Sequence, residues 1–470
     1  MPEVHGLNPP RTGADLLAML RTPSDRLDVS PSGVLRIDGH EATDLLAHFG
    51  SPLVVAVEHT IRQNYRRIRA AFASRWPATV NVMYAIKCNN TLAIRAILSQ
   101  EGAGGDCFGL GELEATLKAG ADPRLMVMNG SNKSHAEIEA AVRKGITINV
   151  DGEDEIDVIE AIAEHEGKRA RANLRLKLLP PELNKFGGEF YKMSGSLLDA
   201  TRRAKWGYTL ELAGALVDRL RQKAHIDLQG YSSHIGRFAA HPEAYAIVAR
   251  ALGDAVVRLY KATGFWPREF DLGGGWARER EPESRSPERT PYTIEDHAEA
   301  ATSALLSALA PAQQPVPELW LEPGRYIVGN AQVLLATVGA IKRDAGLCWV
   351  HVDASTNNLM RIETSRHWHH ILPANRMNAP LVDTPEIVGG TCIPSVLGSE
   401  RRVPTLRPGD CVAILDTGMY TEVISNQFNS IPRPAAVLVS GARREIIKRR
   451  ETVEDLYAQH VVPDRLKVMQ

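Results

Sequence analysis

The sequence predicts an α/β chain in two parts: an N-terminal eight-fold (β/α)8 barrel over residues 51–330 and a C-terminal β-barrel or sandwich over residues 331–470. Three observations carry this. From Pro52 to about residue 330, short β-prone runs alternate with amphipathic stretches, the pattern of parallel strands joined by crossover helices. After residue 330 the pattern changes to short apolar runs divided by turn residues. Lys87, in Tyr84-Ala85-Ile86-Lys87-Cys88-Asn89-Asn90, stands where a strand would end and a helix begin, the rim at which α/β barrels build their sites.

In chain order, residues 1–27 are rich in Pro, Gly and Arg, with one helical stretch from Ala14 to Leu20, and are expected to form a tail or docking arm. Residues 28–50 carry a short strand, Val34 to Asp38, expected to join the β-domain, and a helix from Glu41 closed by Gly50. Pro52 to Val57 reads as a buried strand, and Thr79 to Met83 as the strand before Lys87. Further strands are expected at Ile146–Val150, Ala172–Leu178, Leu228–Ser232 and Glu269–Leu272. Amphipathic stretches such as Glu155–Glu166, Leu210–Gln222 and Pro242–Thr263 lie between them. The charged, Pro-containing run Glu279 to Pro291 is expected to be an exposed loop. A doubly wound open sheet is the competing closure, but no Gly-x-Gly-x-x-Gly opens a helix after a strand. Beyond residue 330 the runs Val333–Val338, Trp349–Val352, Pro385–Val388, Cys411–Leu415 and Ala435–Val439 build the β-domain.

With 470 residues the chain is long enough for two domains. Its 55 basic and 56 acidic residues leave a net charge of -1, so no electrostatic footprint points to nucleic acid or a charged membrane. No apolar run reaches the ~18 residues needed to span a bilayer, and a cytoplasmic protein is expected. Cys88, Cys107, Cys348, Cys392 and Cys411 are odd in number and scattered, describing neither a disulfide framework nor a zinc site.

Several short motifs carry chemistry. A primary amine at the Lys87 position can lose its proton and condense with an aldehyde, although the spacing fits a solvated lysine equally well. Gly273-Gly274-Gly275 follows a strand and lets backbone N–H groups approach a phosphate, or simply makes a tight turn. Glu322-Pro323-Gly324-Arg325 closes the apparent strand Leu319 to Leu321 and supplies a carboxylate and a planar cation, or a surface turn. Ser233-His234-Ile235-Gly236 ends another strand with an imidazole. Asp106 is either a charge partner for Lys87 or the N-cap of a helix containing Glu112 to Ala119. Without further context Cys392 reads as a buried structural thiol.

Taken together, Tyr-Ala-Ile-Lys-Cys-Asn, His-Ile-Gly, Gly-Gly-Gly, Glu-Pro-Gly-Arg, Gly390-Thr391-Cys392, Asp416-Thr417-Gly418-Met419-Tyr420 and Phe428-Asn429-Ser430 resemble, in order, the motifs of the fold-type III, alanine-racemase-like decarboxylases that use pyridoxal 5'-phosphate (PLP). This is the family of diaminopimelate and ornithine decarboxylases, and the likeness runs from about Leu35 to about Val439. The resemblance implies a TIM-type barrel with a C-terminal β-domain and a homodimer with shared active sites. By it Lys87 holds PLP, Asp106 lies near that lysine, and Gly273, Gly274, Gly275 and Tyr420 serve the phosphate. Glu322 faces the ring nitrogen, His234 stacks on the ring, and Arg325 serves phosphate or the substrate carboxylate. Cys392, contributed across the dimer interface, returns a proton to the α-carbon.

Departures bear on specificity. Where the family places an acidic residue after the cysteine to hold a distal amino group, this chain has Ile393. Leaving an ammonium unpaired against a buried isoleucine costs several kcal/mol, roughly. Arg237 stands in the place of a phosphate-binding serine. Arg361 matches the substrate arginine, but Ser365 replaces an expected tyrosine, and the run Arg366 to His370 departs further; adjacent histidines there do not converge on a metal. The expected activity is removal of the α-carboxylate from an amino acid or amino acid conjugate whose far end is anionic or neutral. A true diaminopimelate decarboxylase using another carboxylate such as Glu363, an amino acid racemase, and an inactive regulatory homologue are the competing readings.

Overall fold

The computed structural model describes residues 9–186, 195–234, 241–282 and 290–467. Among them, eight parallel strands close on one another in the order of the chain: Val80–Ala85, Gly104–Cys107, Met126–Met128, Thr147–Val150, Ala170–Leu176, Ile226–Ser233, Glu269–Asp271 and Glu318–Leu321. The last strand pairs with the first, Leu319 to Val80, so no edge remains. The crossovers are amphipathic helices such as Glu58–Ala73, Glu153–His165 and Pro242–Thr263. Their apolar stripes, for example Ile156, Ile159, Ile162 and Ala163, are fully or almost fully buried against the strands. Burial of aliphatic side chains at this scale is the main stabilising term, roughly 1.5–3 kcal/mol per large side chain. No helix among the described residues is long and apolar enough to cross a membrane.

The second unit is a mixed sheet built around the long strand Gln332–Asp344, which pairs with Leu347–Val352, Cys411–Ile414 and Leu53–Val57. Leu53–Val57 pairs in turn with Ala435–Ser440. The eight-fold barrel and the β-rich C-terminal part are as the sequence predicts.

Three placements differ from expectation. The strand beginning at Leu53 lies in the second sheet rather than the barrel, because all five of its residues are buried and a strand buried on both faces fits the centre of that sheet. Leu35–Ile37 does not join that sheet but pairs with Leu27–Val29 and His40–Glu41 in a separate three-stranded one. Within the segment read as a tail, Gly13–Leu20 is a helix with a capping box from Thr12 and Asp15, and its Leu17 and Leu20 are buried with the β-domain core.

The charged run after Ala277 differs as well. Arg280 is buried there with only 4 % of its surface exposed. Residues 283–289 of that run lie outside the described residues.

Candidate active site

Each chemically suggestive side chain from the barrel sits at or just beyond the C-terminal end of a strand. Lys87 lies in the turn Ile86–Cys88 directly after Val80–Ala85. Ala85 is in register with Asp106 on the neighbouring strand, and Lys87 Nζ donates a hydrogen bond to Asp106 Oδ2. Burial pushes the amine towards the neutral form, but the charges of Asp106 and Glu322 outweigh it and hold its pKa above the ordinary lysine value. Some 30 % of the Lys87 side chain stays open. The N-cap expectation for Asp106 does not hold: the helix is Leu110–Lys118 with Gly109 at its cap, while Asp106 is a fully buried strand residue.

Glu322 follows Glu318–Leu321 and is buried, not part of a surface turn. The Asn129 amide, just past Met126–Met128, donates to Asp106 Oδ1 at 2.9 Å and to Glu322 Oε1 at 2.5 Å. Burial and the charge of Asp106 raise the pKa of Glu322. Burial and the charge of Glu322 push Asp271 well above the usual carboxylate range. Asp271 Oδ1 accepts from the Gly273 N–H at 2.8 Å.

His234 ends Ile226–Ser233. The Gly274 N–H donates to its Nδ1 at 2.9 Å, which puts the ring proton on Nε2. Burial, with the cations Arg175 and Lys87 nearby, pushes the imidazole down to about 3, so the ring is neutral. Gly273 has φ +70°, and a Cβ on Gly274 would stand 2.2 Å from the Glu322 carbonyl oxygen. Only glycine keeps this rim open. Gly275 is half-buried beside them. Ile235, Gly236 and Arg237 lie outside the described residues.

The β-rich part supplies the opposite wall. The Tyr420 N–H donates to the Cys88 carbonyl at 2.8 Å, which brings the phenol beside Lys87. Burial pushes that phenol up to about 12. The Arg361 guanidinium lies 4.7 Å from the Tyr420 ring centroid. Arg325 is buried, with Nη1 3.5 Å from Glu281 Oε2. The loop carrying Tyr420 is anchored at Asp416, which accepts from Arg280 Nε at 2.8 Å and Arg278 Nη1 at 3.0 Å. Arg280 reaches on to Asp25 at 2.6 Å, tying the N-terminal arm to the same loop. Burial alone would raise the Asp416 carboxyl, but Arg280 and Arg278 hold it down at about 2.

Asn129, Asp271, Arg278 and Arg280 were not singled out in the sequence. Asp271 and Asn129 each end a barrel strand, a position that could have flagged them. Arg280 was hidden in a run whose charge reads as solvated, and Arg278 stands just before that run.

Cys392 and Ile393 are not gathered in. Cys392 is exposed rather than buried, its N–H donating to Asn429 Oδ1 at 3.0 Å, with Asn429 Nδ2 3.5 Å from Sγ. Ile393 keeps 37 % of its surface exposed within the chain. Ser365 ends the short helix Arg361–Ser365, its hydroxyl 3.5 Å from that of Thr364, and Glu363 is exposed. In the following run His369 Nδ1 lies 2.8 Å from the Leu415 carbonyl, and Arg401 stacks 3.6 Å from the Trp368 ring. Among the described residues no group of three or more His, Cys, Asp or Glu could hold a metal ion.

The donor set fits pyridoxal phosphate: an amine for the aldehyde, a buried carboxyl for a ring nitrogen, and a glycine rim with Arg325 and Tyr420 for a phosphate. The comparisons agree. The model of the pyridoxal-dependent decarboxylases, pyridoxal binding domain, matches residues 58–329. The chain is 33 % identical to the diaminopimelate decarboxylase of Methanothermobacter thermautotrophicus, over 94 % of this chain and 98 % of that one. It is 30 % identical to that of Synechocystis, over 97 % and 98 %. The crystal structure of M. jannaschii diaminopimelate decarboxylase in co-complex with L-lysine superposes with a TM-score of 0.87 at 29 % identity, covering 94 % of this chain and 99 % of that one.

Proposed function

The chain belongs to the pyridoxal-dependent decarboxylase family, a PLP enzyme and a carboxy-lyase, and from that footing we propose that it removes the α-carboxylate of an amino acid or amino acid conjugate whose distal end is neutral or anionic. The observation that carries the chemistry is the convergence of Lys87, Asp106 and Glu322 at one rim, joined by hydrogen bonds. The observation that carries the specificity is Ile393, an apolar side chain directly after Cys392.

Bound PLP supplies an aldehyde for an amine and a ring that takes up the electron pair left on the α-carbon when the bond to the carboxylate breaks and carbon dioxide departs. The protein's part is to hold and move protons. Lys87 offers the amine, and Asp106 orients its Nζ. Glu322, held by the Asn129 amide, would keep a ring nitrogen protonated. His234, neutral, offers a flat face without adding charge. Gly273, Gly274, Gly275, Arg325 and Tyr420 hold the phosphate, while Arg361 and Arg325 are the cations available to a substrate carboxylate. Cys392 returns a proton to the α-carbon from a partner subunit, a reading supported by the exposure of its thiol within its own chain. Two chains thus complete each other's sites in a homodimer.

A second reading, a genuine diaminopimelate decarboxylase, is favoured by relatives of that name at about this chain's full length. Carbon dioxide release across diaminopimelate, ornithine, lysine, glutamate and N-acylated diamino acids separates the two. Turnover of an acylated or acidic substrate well above diaminopimelate supports the first reading; dominant turnover of diaminopimelate establishes the second.

A further inference from the structure

The Asn129 side chain hydrogen-bonds to both carboxylates that face the lysine region. Its Nδ2 gives one hydrogen to Asp106 Oδ1 at 2.9 Å and the other to Glu322 Oε1 at 2.5 Å. Its Oδ1 accepts from Asn149 Nδ2 at 2.9 Å, and its backbone N–H donates to the Cys107 carbonyl at 2.8 Å. With 2 % of its surface exposed, it exchanges none of these bonds with water. The orientation of the amide is fixed, because two carboxylates on one side need donors and the Asn149 amide on the other needs an acceptor.

We propose that Asn129 is a positioning residue that couples the two ends of the bound cofactor: by sharing one amide between Asp106 and Glu322, it ties the carboxylate beside the reactive amine to the carboxyl that faces the ring nitrogen. This rests on Lys87 and Glu322 serving the cofactor as proposed above. The physical basis is that a hydrogen bond to a carboxylate favours its charged form, and a carboxylate's charge stabilises a proton on a neighbouring nitrogen. An amide that serves both carboxylates makes their two effects rise and fall together. A fixed, neutral donor does this without adding a charge to a crowded buried cluster.

The test uses the holoenzyme and the near-isosteric variant Asn129→Leu, with Asn129→Ala as a smaller second variant. Neither side chain can donate. The visible absorbance of the bound cofactor is titrated with pH, alongside melting temperature and kcat and KM. The expected result is a downward move of the spectral midpoint by about one pH unit or more, a tenfold change in proton affinity, with kcat lowered and KM little changed. An unmoved midpoint in whichever variant folds overturns the proposal, as does failure of both variants to fold, which would make the amide a purely structural tie. If the wild-type protein itself shows no cofactor band that depends on Lys87, the assignment of the site fails instead.

Discussion

Lys87 and Asp106 face each other from adjacent barrel strands, the amine donating to a carboxylate that has no solvent exposure. The pair explains why an amine partly open to a ligand still carries its charge: the strand register fixes the counter-charge before any ligand arrives. Lys87→Ala removes the amine that donates to Asp106 while leaving Asp106 and Glu322 in place. The variant is expected to lose the visible cofactor band and to drop turnover by more than about 10²-fold. A retained band with retained turnover would exclude Lys87 as the cofactor lysine.

The proposal that two chains share each site makes a mixing experiment quantitative. Lys87→Ala and Cys392→Ala chains, each inactive alone, are expected to regain about a quarter of wild-type activity after dissociation and random re-pairing, since half the dimers are mixed and one site in two is then intact. Recovery of no activity under conditions that restore the wild-type dimer would place Cys392 in the site of its own chain and overturn the shared site, whereas full activity of Cys392→Ala alone would place Cys392 outside the reaction.

Ile393 offers the simplest test of specificity. Ile393→Glu is expected to raise kcat/KM for substrates with a distal ammonium, diaminopimelate among them, by about 10–100-fold, and to lower it for substrates with an acidic distal end. Equal effects on both substrate classes would detach position 393 from the distal group.

The Asp416 anchor is expected to matter for stability and for the site together. Asp416→Ala leaves Arg278 and Arg280 buried with a lost counter-charge, which costs about 3–5 kcal/mol. Urea denaturation measures that loss, and cofactor titration of the folded variant is expected to show weaker binding, because the Tyr420 loop has lost its hold.

Acid stability follows from two buried imidazoles. Burial pushes His297 down to about 4 and His370 down to about 3. An unfolded imidazole titrates near ~6.5, so below that pH the unfolded chain binds protons that the folded chain refuses, and stability falls as pH drops from about 6.5 towards 4. Each ring accounts for up to about 2 kcal/mol at pH 5. Asp416 acts in a lower window, its contribution present above about 3.8 and lost as pH falls towards about 2. Replacing His370 by Gln is expected to flatten the fall of melting temperature between pH 7 and 5; an unchanged slope would remove His370 as a cause.

The barrel and its lysine were legible because alternation and the Lys87 motif are local in sequence. The strands Gly104–Cys107 and Met126–Met128 were harder to see: they are four and three residues long. The first is built on glycines, where a Cβ on Gly104 would stand 1.8 Å from the Leu125 carbonyl oxygen. Close backbone approach, not β-propensity, selects those residues. Asn129 and Asp271 were illegible for a different reason, since their meaning lies in partners from other strands. The charge run holding Arg280 misled because composition cannot distinguish a solvated arginine from one paired with Asp416, far along the chain.

Leu53–Val57 sits between Gln332–Asp344 and Ala435–Ser440, so the sheet is opened by one end of the chain and finished by the other. During synthesis, this strand waits without either neighbour until the whole barrel has emerged from the ribosome. A nascent apolar segment held open that long is a natural client for a chaperone, and truncation anywhere before Ala435 would leave it as an unpaired edge prone to aggregation.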